Sequence, residues 1–248
     1  MVTPLLIHVP HASTVIPDEV LGDFLISPEE LCHQQLRLTD WFTDELFTAG
    51  FPRGQVLAAP VSRLVVDVER FPDDGNEPCS KVGMGATYLK TVEGRPLRSL
   101  SLERRQFLLE TYFWPHHRRL DEACAASLGS HGRCVIIDAH SFPTDPLPTQ
   151  IEFSAPPEIG IGTEPGHTPA GLLSLTEEYF LSHGFVVGVD RPFRGALVPN
   201  AFFGKDPRVS SIMIEIRRDL YMDEMSGTKN KGFTRMQELL TGYRAAVG

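Results

Sequence analysis

The chain has 248 residues, 42% of them hydrophobic and 22% charged, with a formal net charge of −9. That length suits one large α/β domain, and the composition is that of a soluble globular protein rather than a disordered one. The acidic balance argues against a general nucleic-acid surface, which needs clustered Lys and Arg, but a few arginines inside a pocket can still hold an anionic substrate. Cys32, Cys79, Cys124 and Cys134 form no C-x-x-C pair and read as reduced thiols. The first residues carry neither a basic segment nor an adequate apolar one, and no apolar run approaches the roughly 18 residues of a membrane span. The expectation is a cytoplasmic protein with no membrane partner. Oligomeric state stays open.

Short apolar runs alternate with longer amphipathic stretches, the pattern of an α/β sheet protein. Pro4–Val9 reads as a first buried strand, running into the turn Pro10-His11-Ala12-Ser13. Ser27 followed by Pro28, Glu29 and Glu30 marks a helix start, with a capping serine, proline in the first turn and acid at the positive end. A helix is expected from about Asp40 to Thr48, ending near Gly50. Gln55–Ala59 and the valine-rich Leu64–Val68 read as strands.

Phe71–Gly85 has loop chemistry, and Leu102–Ser127 is helical with Pro115 expected to interrupt it. Cys134–Asp138 is the clearest central strand. A loop rich in proline and glycine is expected from Pro143 to Gly171. Then come a helix over Thr176–His183, strands over Phe185–Val189 and Ile212–Ile216, and a closing helix over Phe233–Ala246. In open α/β sheets ligands bind beyond the carboxyl ends of the strands. His11, the Arg63/Asp67/Arg70 segment and His140 fall near such ends.

His11, in a turn after a strand, is a good ligand for a first-row metal, zinc in particular. It could equally be a turn histidine satisfied by the backbone. His8 lies three residues earlier, so on a strand it would face the other way, and it ranks below His11. Asp138 and His140 are two apart on a strand and share a face, so the carboxylate can hold the imidazole as metal-binding histidines require. A purely structural Asp–His pair fits as well. Asp40 could be a plain helix cap, but a catalytic zinc held by two histidines needs a third protein ligand, which an aspartate supplies.

Glu215 leaves an apolar strand. A buried carboxylate needs a partner, a cavity or a metal, and desolvation raises its pKa toward that of a general base. The alternative is an ion pair with Arg217 on the same face. Arg63, Arg70 and Arg194 sit in apolar or turn contexts and could clamp a substrate carboxylate bidentately, or form structural salt bridges. No phosphate-binding loop, serine elbow, dinucleotide fingerprint or H-E-x-x-H helix is present.

These residues fall in ordered blocks: His8-Val9-Pro10-His11-Ala12-Ser13 with Ile16-Pro17; Thr39-Asp40 with Asp44-Glu45-Leu46-Phe47; Pro60 to Arg70; Pro115-His116-His117; Asp138-Ala139-His140-Ser141; Arg191-Pro192-Phe193-Arg194-Gly195; and Ile214 to Tyr221. Over nearly its whole length the chain resembles the N-formylglutamate amidohydrolases. The resemblance implies one catalytic domain over residues 1–248. Its fold would be an α/β mixed central sheet flanked by helices, like that of the zinc carboxypeptidases and of the phosphorylase/hydrolase type.

By that likeness Glu215, in a Glu-Ile-Arg segment similar to the Glu-Leu-Arg of the carboxypeptidases, is the general base, and His11 and His140 are zinc ligands. The carboxypeptidase pattern puts a glutamate three residues after its first histidine. Here that residue is Thr14, so the middle ligand comes from elsewhere, and Asp40 is the choice. Glu69-Arg70 stands where relatives carry the Asn-Arg that binds a substrate carboxylate. Arg63, Arg70, Arg194 and His117 form the expected substrate-binding set. The implied reaction is zinc-dependent hydrolysis of an N-acyl acidic amino acid, N-formyl-L-glutamate giving formate and glutamate in histidine breakdown. Rival readings are another N-acyl amino acid or a short peptide as substrate, or a metal-independent binding protein.

Overall fold

In the computed structural model, which describes residues 3–149 and 155–248, the chain opens with β1 (Leu5–Val9), buried at every position. Three helices follow: α1 (Asp18–Leu21), α2 (Pro28–Leu38) and α3 (Thr43–Thr48). Ser27 caps α2, as the sequence predicts, and Glu30 completes a full capping box with it. β2 (Val56–Ala58) precedes a long irregular stretch, and α4 (Leu102–Leu108) and α5 (Trp114–His131) lead into β3 (Cys134–Phe142). The rest is β4 (Ile159–Gly162), α6 (Ala170–Ser182), β5 (Val187–Val189), β6 (Val209–Arg217) and α7 (Phe233–Val247), with a small hairpin over Met222–Lys229.

The strands form one six-stranded sheet in the order β2-β1-β3-β6-β4-β5. β2, β1, β3 and β6 run parallel, and β4 joins β6 antiparallel, so the sheet is mixed as expected. Alternation decides what each face touches. Leu5, Ile7 and Val9 of β1 share one face with Val135, Ile137 and Ala139 of β3 and with Ile212, Ile214 and Ile216 of β6. They pack against Leu46 and Phe47 of α3, Phe180 of α6, and Met236 and Leu240 of α7. The opposite face begins apolar, with Leu6, Cys134, Ile136 and Val209 under Leu120 and Cys124 of α5. Farther along, the positions of that face become His8, Asp138, His140 and Glu215. The second face therefore changes from core to polar site along its length.

Three expectations from sequence need correction, and one at Pro115 is met. Leu64–Val68 is not a strand: its backbone turns, with Val65 and Val66 N–H donating to Ser62 O and Asp67 N–H to Ala86 O. The run is apolar because Val61, Val65 and Val66 pack with Val20, Leu108, Leu109 and Phe113 in a core of their own. Asp40 does not open a helix, since α3 starts at Thr43 after Phe42 in the left-handed region at φ 64°. The interruption expected at Pro115 is present, though the helix continues past it. Pro115 sits in the first turn of α5, and the distortion lies just before it as a π-helical segment, Leu109–Phe113, where proline would clash with a regular turn. Finally, Ile159–Gly162 is a strand inside the stretch read as loop; the residues 150–154 of that stretch lie outside those described.

Candidate active site

β1 stops at Val9, and Pro10 turns the chain so that His11 folds back over the strand ends. His140 is near the end of β3, two residues beyond Asp138. Asp40 follows α2, and its backbone N–H donates to His11 O at 3.0 Å, tying the two segments together. Three donor atoms converge as a result. His11 Nδ1 and His140 Nδ1 are 3.3 Å apart, Asp40 Oδ2 is 3.0 Å from His140 Nδ1, and it is 3.5 Å from His11 Nδ1. Donors about 2.0–2.2 Å from a tetrahedral centre stand roughly 3.3–3.6 Å apart, so this triangle fits one small divalent ion.

Each vertex is held from behind. His11 Nε2 donates to Asp67 Oδ1 at 2.8 Å. Asp67 is itself fixed by Arg63 Nη2 and the Tyr88 hydroxyl, both 2.8 Å from Oδ2. His140 Nε2 faces Glu69 Oε2 at 2.9 Å and Asp138 Oδ1 at 3.2 Å. Arg218, buried at the end of β6, donates from Nη2 to Asp40 Oδ1 at 3.2 Å and from Nη1 to Arg37 O at 2.7 Å. Asp67 stands behind His11 Nε2, and Glu69 and Asp138 face His140 Nε2. With the ring protons on Nε2, both Nδ1 atoms would be free as lone pairs, the arrangement of metal-binding histidines. Glu69 also lies within 4.8 Å of both His11 and His140. Its Oε2 is 2.9 Å from His140 Nε2, so His11, Glu69 and His140 make a second set of donors close enough to hold an ion.

Glu215 pairs with His140 across the β3–β6 register and with Gly160 of β4 on its other side. Burial, strengthened by Asp40 and Glu69, pushes its carboxyl up to about 8 against the pull of His140 and Arg218. Its Oε2 has no hydrogen-bond partner among the described residues. A Cβ at Gly160 would meet Arg191 O at 2.8 Å and Glu215 Cβ at 3.1 Å, and one at Gly162 would meet Gly195 O at 2.1 Å. The glycines thus let the loop Arg191–Gly195 lie against the strand beside Glu215.

The family model for N-formylglutamate amidohydrolase matches residues 3–222. The chain belongs to the N-formylglutamate amidohydrolase family. It is similar to the crystal structure of N-formylglutamate amidohydrolase from Ralstonia eutropha JMP134, with a TM-score of 0.80, 25% identity, and coverage of 98% of this chain and 92% of that one. A gene product of Agrobacterium tumefaciens shares the fold, with a TM-score of 0.65, 19% identity and coverage of 98% and 91%. No curated protein matches the sequence. Membership makes amide hydrolysis the reaction class. Among the described residues no helix is long and apolar enough to cross a membrane.

The other family-motif residues are placed unequally. Arg70 borders the cluster, its Nε 3.6 Å from Asp67 Oδ2 and without a hydrogen-bond partner among the described residues. Arg194 is exposed on the loop beside Glu215. Arg63 is spent on Asp67 and Leu38 O, so it braces the site rather than opening to a ligand. His117 does not join the cluster: its Nε2 donates to Val68 O at 2.9 Å, and burial lowers its pKa, so it supports the backbone that carries Glu69 and Arg70. Arg217 pairs with Asp219 at 2.8 Å and leaves Glu215 alone.

Sequence reasoning missed Arg218, ranked His8 below His11, and placed Glu69 only in the substrate-carboxylate pocket. Arg217 shares the alternation of Glu215 and drew attention, but the residue after it leaves the strand and turns inward. His8 lies on the same face as Asp138, its register partner. The argument that it faces away from His11 assumed that His11 continues the strand, and Pro10 breaks it.

Proposed function

We propose that this chain is a zinc-dependent N-formylglutamate amidohydrolase, cleaving N-formyl-L-glutamate to formate and L-glutamate in the cytoplasm as a step of histidine degradation. The observation that carries the reading is the triangle of His11 Nδ1, Asp40 Oδ2 and His140 Nδ1 beside a buried glutamate whose Oε2 has no hydrogen-bond partner among the described residues. Two imidazoles and one carboxylate suit zinc and leave a coordination position open. These three residues would hold the ion, which when bound supplies Lewis-acid polarisation of the amide carbonyl and acidifies water.

The chain's own residues do the rest. Glu215, whose carboxyl is disposed to exchange a proton near neutrality, takes the proton of the attacking water and passes it to the departing amine. Asp67 and Arg218 keep His11 and Asp40 in place while charge develops. Arg70 receives a substrate carboxylate, and Arg194 on the adjoining loop offers a second cation, which favours a dicarboxylic amino acid. The unpaired state of the described cysteines is in keeping with a cytoplasmic enzyme.

The test is formate release from N-formylglutamate by zinc-loaded protein, beside the acetyl and succinyl analogues and a short peptide. Preferred cleavage of the formyl compound is expected. Faster cleavage of another acyl group would replace the substrate, and no hydrolysis by fully zinc-loaded protein would overturn the reading.

A further inference from the structure

Behind His140 lies a second histidine with no direct part in the proposed reaction. His8 is wholly buried on β1. Its Nδ1 donates to Asp138 Oδ1 at 2.8 Å and stands 3.3 Å from Glu69 Oε1. The same Asp138 oxygen is 3.2 Å from His140 Nε2, and the other Glu69 oxygen is 2.9 Å from that nitrogen. His8 and His140 therefore share two carboxylates. Asp138 Oδ2 is taken by Leu197 N–H at 2.9 Å, which fixes the plane of that carboxylate. On its far side His8 Nε2 meets His116 Nε2 at 2.9 Å, so the ring is held at both nitrogens.

His140 also has a carboxylate on each side. Asp40 Oδ2 lies 3.0 Å from its Nδ1, while Asp138 and Glu69 face its Nε2. The ring proton can go either way. On Nδ1 it would bond to Asp40 and block the lone pair that a metal needs; on Nε2 it leaves that lone pair open. Asp138 Oδ1 and Glu69 Oε1 both face His8 Nδ1, so removing His8 takes away a donor that orients these two carboxylates toward His140. The Nε2 side would then lose its hold.

We infer that His8 is a positioning residue for His140, holding the Asp138 and Glu69 carboxylates toward His140 Nε2 so that the ring is set with Nδ1 facing the other two donors. The inference rests on the proposed function, because it takes His140 as a ligand. A partner one layer behind a ligand typically changes metal affinity about 10–100-fold.

The test measures zinc affinity of the full chain by competition with a chromophoric chelator, in wild type, His8→Leu and His8→Asn, with melting temperatures of the chelated proteins. His8→Leu is expected to weaken zinc binding roughly 10–100-fold. His8→Asn, whose amide nitrogen takes the place of Nδ1, is expected to recover most of that loss. A merely structural His8 would lower the melting temperature and leave the affinity of the folded protein unchanged, which overturns the inference. A second zinc equivalent in wild type that His8→Leu loses would also overturn it, since His8 would then be a ligand. Should His8→Leu not fold, His8→Gln replaces it: its amide reaches toward His116 and not Asp138, so affinity should follow Asn and fail in Gln, and equal affinities would overturn the inference. Failure of wild type to bind zinc at all is read from its own titration and would count against the proposed function instead.

Discussion

His140 and Glu215 stand opposite each other in the parallel register of β3 and β6, projecting onto the one face of the sheet that turns polar toward its strand ends. One carries a proposed metal-facing nitrogen, the other a carboxyl pushed up to about 8 mainly by burial. Because both belong to the central strands, their separation is set by the backbone ladder rather than by a flexible loop. That rigidity is what a proton transfer beside a metal requires.

Glu215→Gln keeps the shape of the side chain and removes its basicity. The variant should retain bound zinc and its melting temperature while kcat falls by roughly 10²–10⁴. Near-normal turnover would remove Glu215 as the base. Zinc content, melting temperature and kcat should come from one preparation.

Replacing a vertex of the donor triangle should act differently. His11→Ala and His140→Ala are each expected to lose zinc at equilibrium dialysis and to lose activity with it. Asp40→Asn should bind zinc more weakly, and it also leaves Arg218 buried without its anion, so a lower melting temperature is expected as well. Full zinc occupancy in His140→Ala would contradict the assignment.

Arg70→Lys loses the planar fork while keeping the charge. KM for N-formylglutamate should rise roughly tenfold, the scale of a charge-assisted hydrogen bond, with a smaller change in kcat. Arg194→Lys should raise KM less, because Arg194 is exposed. If neither variant changes KM, the substrate carboxylates are held elsewhere.

The chelated protein should become less stable as pH rises through neutrality. Glu215, faced by His140, Asp40, Arg218 and Glu69, keeps its proton in the fold up to about 8, against a model value of 4.5. Burial opposes the charge on His8, but the hydrogen bonds to Asp138 and Glu69 outweigh it and raise its pKa to about 9 from 6.5. Across these windows the native state binds more protons than the unfolded one, so stability present at the acid end is lost as pH rises toward 8 and 9. Burial lowers His116 to about 2 and lowers His117 as well, which offsets the trend near pH 6. Melting curves between pH 7 and 9 should therefore show the decline, less steep in Glu215→Gln. A flat profile would contradict both shifts.

Gly162→Ala probes the loop beside the base. The new methyl group would sit 2.1 Å from Gly195 O and 2.4 Å from Met213 Cε, so the loop must move. A loss of about 1–3 kcal/mol in stability and a raised KM are expected, with zinc content unchanged. An unchanged KM would separate the loop from substrate binding.

Much of this was legible in the chain itself. Buried runs and caps mark most of the elements, because alternation and capping are local properties. The pairing of Asp138 with His140 and the isolation of Glu215 in an apolar strand are legible for the same reason. Tertiary structure alone decided three things. The apolar segment around Val65 became a turn because it had its own core to fill, something local hydrophobicity cannot distinguish from a strand. Arg218 and not Arg217 turned inward, because β6 ends between them and alternation stops there. His8 joined the site because Pro10 folds His11 back over a strand whose register sets His8 beside Asp138. A side chain's direction follows from its own few neighbours only while the strand lasts; past its end, distant segments such as Asp40 and Asp67 determine where each donor atom comes to rest.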